Sequence, residues 1–438
     1  MNGADPKGAR GAVVPLPRKI TLDDPPADPH QRILPASQRL APPKAWSPAF
    51  PILWGLLFAV LPLLGWSQDA GEKKFQVNGY VKFLQSNSFA PVVGLDTTVS
   101  FTDNLIHNRL NLHYYPGERW KIAVESRNRL FWGDQVRQPG YGDLIDQYNG
   151  LVDLSVRWVD QGGFLLHSII DRAYVNYSHK QWDVTVGRQR INWGVNLIWN
   201  PNDIFNAYNF LDFDYEERPG RDAIRVQYFP GTVSRAEVAF APADTLENSV
   251  AAALYRFGLK GYDVQVMAGY AEGDAVFGGG WEGNLGQIGF KGEGSYFWAT
   301  EVSDDPRDAF GASVTLDYLF GNGLYLTGSA LYNSLGGDAN TGGAQGGLVG
   351  GQLSARNIFP TEWAFYASAA GSPHPLVSLN AGVIYGTTND LLIAVPSVTY
   401  SIKENWDIDL IGQLFFADPG TGFSSAGAGL FWRLKWSY

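Results

Sequence analysis

Charged side chains recur at two-residue spacing along stretches that are otherwise apolar. From Trp120 to Leu130, Lys121, Glu125, Arg127 and Arg129 alternate with Trp120, Ile122 and Val124. Arg109, Arg172, Arg225, Arg235 and Glu237 sit in similar settings. In an extended chain residues i and i+2 share a face, so each stretch has one charged side and one apolar side. Brought together on adjacent strands, Arg109, Glu125, Arg127, Arg129, Arg172 and Arg225 make a basic arc. Lining a water-filled pore, such an arc sorts solutes by the sign of their charge. Paired among themselves, the same residues only stiffen a wall. The spacing leaves both roles open.

A second feature is the segment Gly194–Gly220, GVNLIWNPNDIFNAYNFLDFDYEERPG, which is aromatic and also carries Asp203, Asp212, Asp214, Glu216 and Glu217. A surface loop this apolar needs somewhere to pack. Folded into a barrel it becomes a constriction whose carboxylates oppose the arginines; folded over the rim it becomes a lid. The clustered carboxylates lack the ordered ligand spacing of a calcium loop. No HExxH, Walker loop or Gly-x-Ser-x-Gly occurs, so the chain is not expected to be an enzyme, and no cofactor or metal is expected. His107, Asn111 and His113 read as lumen lining rather than a catalytic set. The glycine-rich run within 333–361 reads as an external loop, since no helix-opening Lys-Ser/Thr follows it.

The elements that position these residues follow from the same alternation. Aromatic residues make up 14% of the chain and charged residues 17%, with 51 glycines and no cysteine. Disulfides and thiolate metal sites are therefore excluded. The net charge of −10 makes nucleic acid a poor partner. Short turns fall at 116–117, 178–180, 230–231, 258–260, 292–294, 321–323, 372–374 and 403–405. Longer connections fall at 85–103, 133–165, 193–220, 273–281, 333–361 and 417–425. Alternating short and long connections predict an all-β, up-and-down antiparallel transmembrane barrel of about 18 strands, with 16 as the alternative, short periplasmic turns and long external loops. Within strand 181–193 the parity of Trp182, Val184 and Val186 would send Arg188 and Arg190 into lipid. A bulge near Gly187 is the expected remedy.

Residues 1–67 are proline-rich and polar, then apolar from Ala49 to Gly65, and they end in small residues at Gly65 and Ser67. That pattern predicts a disordered leader and a signal peptide, with the barrel over 68–438.

The last strand alternates up to an aromatic end, with Trp432, Leu434, Trp436 and Tyr438 on one face. This ending resembles the C-terminal signal of bacterial outer-membrane barrels. The stretch AYVNYSHKQWDVTVGRQRINWG (173–194), continued by NPND (200–203), resembles a hairpin pattern of porin-like outer-membrane barrels. The matching residues are Gly187, Arg188, Gln189, Trp193, Gly194, Asn200, Pro201 and Asp203. The alginate-export type of barrel, with a GRQR-like strand and an arginine-rich lumen, is a related resemblance.

The resemblance implies a bacterial outer-membrane location and contact with the barrel-assembly machinery. It also implies diffusion of small hydrophilic or anionic solutes and, by family analogy, a homotrimer. The alternative expectation is a non-conducting or polysaccharide-exporting barrel with surface-binding loops and an anionic oligosaccharide as partner.

Overall fold

Period-two alternation becomes one closed sheet. The computed structural model describes residues 74–92, 97–146, 150–206, 220–337, 354–418, 420 and 422–438. The leader expected over 1–67 lies outside them. The early strands are long, β1 (Phe75–Pro91), β2 (Thr98–Gly117), β3 (Trp120–Gly133) and β5 (Phe164–His179), apart from the short β4 (Ser155–Gln161). Four short ones follow, β6 (Trp182–Gln189), β7 (Arg221–Tyr228), β8 (Arg235–Ala241) and β9 (Val250–Leu259). Next come β10 (Tyr262–Ala271), β11 (Asp274–Leu285), β12 (Ile288–Ala299), β13 (Ala309–Leu319) and β14 (Tyr325–Asn333). The last five are β15 (Trp363–His374), β16 (Val377–Gly386), β17 (Leu391–Lys403), β18 (Trp406–Ala417) and β19 (Ser424–Ser437).

Each strand pairs antiparallel with its neighbours, and β19 returns to β1 from Tyr80↔Ser437 to Phe89↔Ala428. The wall is a closed barrel of 18 strands. Closure removes the free edges that an open sheet exposes. The nineteenth strand, β4, belongs to a hairpin outside this count. One edge of β5 pairs with β3 along its length. The other edge is shared: β6 takes 173–179 and β4 takes 164–169. The stretch 133–165, expected to be one long connection, therefore contains a strand and a short helix, Tyr141–Ile145.

Three further boundaries differ from expectation. Residues 292–294, expected as a short turn, lie inside β12, and the turn falls at 286–287 instead. Residues 274–281 are strand rather than an outer connection, because β10 and β11 are joined by Glu272-Gly273 with both residues at positive φ. The first outer connection is only 92–97, since β1 and β2 run well past Gln85 and Asp103.

The two faces differ as a lipid-embedded wall requires. From β6 to β19 the outward positions along the middle of the strands are apolar, glycine or proline, with Val186, Val238, Val266, Phe277, Leu316 and Leu410 well exposed, and the polar exceptions, Arg188, Asp222 and Ser425, lie at strand ends. Outward aromatics gather in belts toward the strand ends. Trp120 packs against Tyr177 and Trp182 against Tyr228, each at 4.6 Å, near the end where β1 begins and β19 ends. Tyr332 meets Trp363 at 4.9 Å near the other end. An apolar band flanked by aromatic belts is the exterior of a transmembrane barrel.

Candidate functional site: the lumen wall and an in-folded segment

Inward positions on β2, β3 and β5 bring three arginines to two carboxylates. Arg109, only 1% exposed, donates to Glu125 at 2.6 Å and to Asp171 at 2.8 Å. Arg127 donates to the other Asp171 oxygen at 3.1 Å, and Arg172 lies 3.2 Å from Glu125. Asp171 reaches the lumen because the β3–β5 register shifts there: Glu125 faces Arg172 while Ser126 faces Ile170. One extra residue in β5 places Asp171 and Arg172 on the same side, as a bulge does. Toward the rim, Arg129 donates to His167 Nδ1 at 3.2 Å, and His167 Nε2 donates to Asp146 at 2.9 Å. Asp146 also holds Arg157, with Nε 3.1 Å away. Buried arginines are tolerable when carboxylates compensate them; Arg109, Arg127 and Arg172 share Glu125 and Asp171, while Arg129 reaches Asp146 through His167. Arg109, Arg127, Arg129 and Arg172 thus stand on the inner wall as a braced ladder.

Arg225 is placed differently. It faces inward from β7 and makes no hydrogen bond or ion pair among the described residues, with its Nε shielded from solvent. On the next two strands Arg235 and Arg256 are directly paired across the β8–β9 ladder. Arg235 approaches Glu237 only to 3.4 Å, and Arg256 donates to the neutral Gln265 at 2.7 Å. Glu237 is already engaged by Trp193 and Gln227, both at 2.7 Å. Of the three arginines only Arg235 reaches Glu237, Arg225 has no ion pair among the described residues, and Arg256 feels the charges of Glu282, Asp263 and Glu237 without an ion pair to any of them. Arg256 has the alternating setting of the other lumen arginines, between Tyr255 and Phe257, and that signal was available in the sequence.

Arg188 takes neither expected course. The ladders of β6 with β5 and β7 run without a register shift, although Gly187 has φ +117°. The bulge sits in β5 instead. At the end of β6, Arg188 is buried where the β4–β5 hairpin covers it. It donates to Asp222 and Ile170 O, each at 3.0 Å, and to Val152 O.

After Gln189 the chain leaves the wall and turns into the barrel. The described part of the expected constriction, through Asn206, lies against the inner faces of strands from β8 to β17. Its anchor is Glu293 on β12, whose carboxylate accepts the backbone N–H groups of Val195, Asn196 (3.2 Å) and Asn202 (3.3 Å). Asn196 donates to Ser313 at 2.6 Å, and Ser313 donates to Trp199 O at 2.8 Å. Ser295 donates to Asn202 Oδ1 at 2.8 Å, and Gln265 donates to Trp193 O at 2.6 Å. Trp193 packs with Phe205, Leu254 and Met267; Trp199 packs with Phe359, Ile384 and Ile393. Both tryptophans are 1% exposed. Asp203 is buried within this segment rather than standing in open water. Asp212, Asp214, Glu216 and Glu217 lie outside the described residues.

At the C-terminus Trp432, Leu434 and Trp436 share the outward face of β19, and Tyr438 follows its last residue. Tyr438 exchanges backbone hydrogen bonds with Gly79, at 3.0 and 2.9 Å. Its hydroxyl donates to Arg109 O at 3.0 Å and accepts from Asn108 Nδ2 at 3.1 Å. The last residue thereby ties β19 to β1 and β2. A Cβ on Gly79 would sit 2.0 Å from Arg109 O and 2.8 Å from the Tyr438 hydroxyl, so glycine is required.

No protein-family model matches the chain, and no curated protein matches its sequence. Solved structures do resemble it. OccK11 of Pseudomonas aeruginosa is similar at TM-score 0.52 and 10% identity, over 84% of this chain and 97% of that one. OccAB1 of Acinetobacter baumannii gives 0.49 and 8%, over 85% and 99%. A triple mutant of the Rhodopseudomonas blastica porin gives 0.43 and 10%, over 83% and 100%. The likeness to OccK11 bears on the fold alone. A closed, even-stranded antiparallel barrel with an apolar outside and a charged inside is the architecture of bacterial outer-membrane proteins.

Proposed function

We propose that this protein is an outer-membrane channel for diffusion of small hydrophilic solutes, with a preference for anions. The observation that carries the reading is the segment through Asn206, folded inside a closed barrel and bonded to its inner wall. A segment so placed narrows the lumen without crossing the wall. Anion preference rests on Arg225, Arg235 and Arg256, because Arg225 has no ion pair among the described residues and the other two are weakly paired, whereas the ladder on β2, β3 and β5 is braced by close contacts to Glu125 and Asp171. Residues 1–67 act as leader and signal peptide in this reading, and the barrel begins at 68. Outer-membrane lipid and the barrel-assembly machinery are its partners, and a homotrimer follows by analogy only.

A specific observation favours a second reading. Trp193 and Trp199 are packed as in a protein core, which suits a plugged barrel that conducts nothing or opens only for an exported anionic polysaccharide. Planar-bilayer conductance separates the two when the protein is compared with a variant lacking 196–204. A channel conducts before the deletion and widens after it. A plugged barrel is silent before and opens after.

A further inference from the structure

Trp193 reaches the partners of Arg235 and Arg256 at two points. The two arginines face each other directly across the β8–β9 ladder. Like charges so placed repel, and a nearby carboxylate is the ordinary remedy. One is at hand: Glu237 stands two residues from Arg235 on the same face of β8, only 2% exposed. It is turned away. Its Oε1 accepts the Trp193 indole N–H at 2.7 Å, and its Oε2 accepts Gln227 Nε2 at 2.7 Å. Arg235 Nε approaches it only to 3.4 Å, and that N–H has no acceptor among the described residues and is shielded from water.

The second point is the Trp193 carbonyl, which accepts Gln265 Nε2 at 2.6 Å. A carbonyl can only accept, so the amide must aim its NH2 at Trp193 and its Oε1 at Arg256. Arg256 donates to that oxygen at 2.7 Å and is thus held by a neutral group. Glu282 and Asp263, whose charges reach Arg256, form no ion pair with it among the described residues, and Glu282 is taken by Lys291 at 2.7 Å. Trp193 is itself fixed among Phe205, Leu254 and Met267, so both of its polar groups are rigidly aimed.

We propose that Trp193 is a specificity-determining positioning residue: it draws Glu237 off Arg235 and presents Gln265 to Arg256, keeping both guanidiniums held but open to a solute anion. This rests on the channel reading and deepens it, since the in-folded segment then sets the charge preference of the lumen as well as its width. Without the indole N–H, Glu237 Oε1 loses a partner inside a buried site, and the unpaired Arg235 N–H is the donor beside it. The two join, and the charge that attracts anions is cancelled.

Phenylglyoxal attacks the neutral guanidine, so an ion pair to a carboxylate slows it, and the reaction needs no conducting pore. In detergent-solubilised protein, with exposed Arg137 as internal reference, Trp193→Phe should slow modification of Arg235 several-fold by peptide mapping. Loosening of the segment alone would expose Arg235 and speed the reaction, so the sign separates positioning from structural damage. On a Glu237→Gln background Trp193→Phe should no longer slow it, because the cancelling charge is gone. Should the Phe variant not fold, replacing Trp193 with benzothienylalanine, which has the indole's shape and no N–H, carries the same expectation. Reversal potentials in a salt gradient should move toward cations in the variants that react slowly. Arg235 modified as fast or faster without the indole N–H, slowing that persists on the Glu237→Gln background, or a reversal potential that ignores the slowing overturns the proposal. A silent bilayer with the rate difference intact overturns the channel reading instead, so the two failures are told apart.

Discussion

Replacing Glu293 should release the in-folded segment. One carboxylate holds three backbone N–H groups, those of Val195, Asn196 and Asn202. Hydrogen bonds to a charged group are worth about 1.5–3 kcal/mol each when nothing replaces them. In a wetted lumen water takes over part of this, leaving about 1 kcal/mol per N–H as the net loss. Glu293→Ala should therefore weaken docking by about 3 kcal/mol, on the order of a 100-fold shift in the docking equilibrium. Glu293→Gln keeps the shape but turns an amide NH2 toward backbone donors, so it should fall between the two. Chymotrypsin cleavage after Trp199 and Phe205 reads docking, and single-channel recordings read the lumen. Glu293→Ala should be cut faster and should visit a larger conductance state, while Ser329→Ala on the same wall should do neither. Equal cleavage and conductance in all of these variants would refute the claim that Glu293 holds the segment.

Other perturbations test separate parts of the site. Arg225→Ala with Arg256→Ala should move permeability toward cations, whereas Arg127→Ala with Arg129→Ala should move it less; reversal potentials in a salt gradient compare them. Arg109→Ala leaves Glu125 and Asp171 short of a buried partner and should cost about 3–5 kcal/mol, read as earlier unfolding in denaturant titrations. Gly79→Val should block closure at Tyr438 and abolish the compact form on unheated gels, while Tyr438→Phe should only lower its melting temperature. In the outer connection 300–308, the hydrogen bond from Arg307 holds Asp305 down to about 2. A carboxyl depressed on folding stabilises above its unfolded value of about 3.9 and loses that effect as pH falls toward the folded value. Hydrogen exchange of 300–308, corrected for its intrinsic rate, should accordingly rise between pH 4 and pH 2 and stay flat above pH 5.

The barrel was legible because an apolar-out wall writes period two into every strand, as Trp432, Leu434 and Trp436 do in β19. What the alternation does not encode was lost. The β4 hairpin hides in a polar, glycine-containing stretch whose length is ordinary for an outer loop. Asp171 and Arg172 are neighbours that point the same way, so a strict two-residue reading keeps one and discards the other. Glu293 lies among the glycines of 282–303, which blur the pattern where the anchor sits. The arginines were visible as a set, but their compensation was not, because Arg109 and Asp171 are 62 residues apart. The parity of β6 makes Arg188 anomalous, yet its pairing with Asp222 under the hairpin depends on tertiary structure.

Purified protein reconstituted in a planar bilayer tests the central claim most directly. A wetted barrel narrowed from within predicts stepwise conductance that favours anions and grows when 196–204 are removed. A bilayer that stays silent with the folded native protein, and stays silent after the deletion, contradicts it.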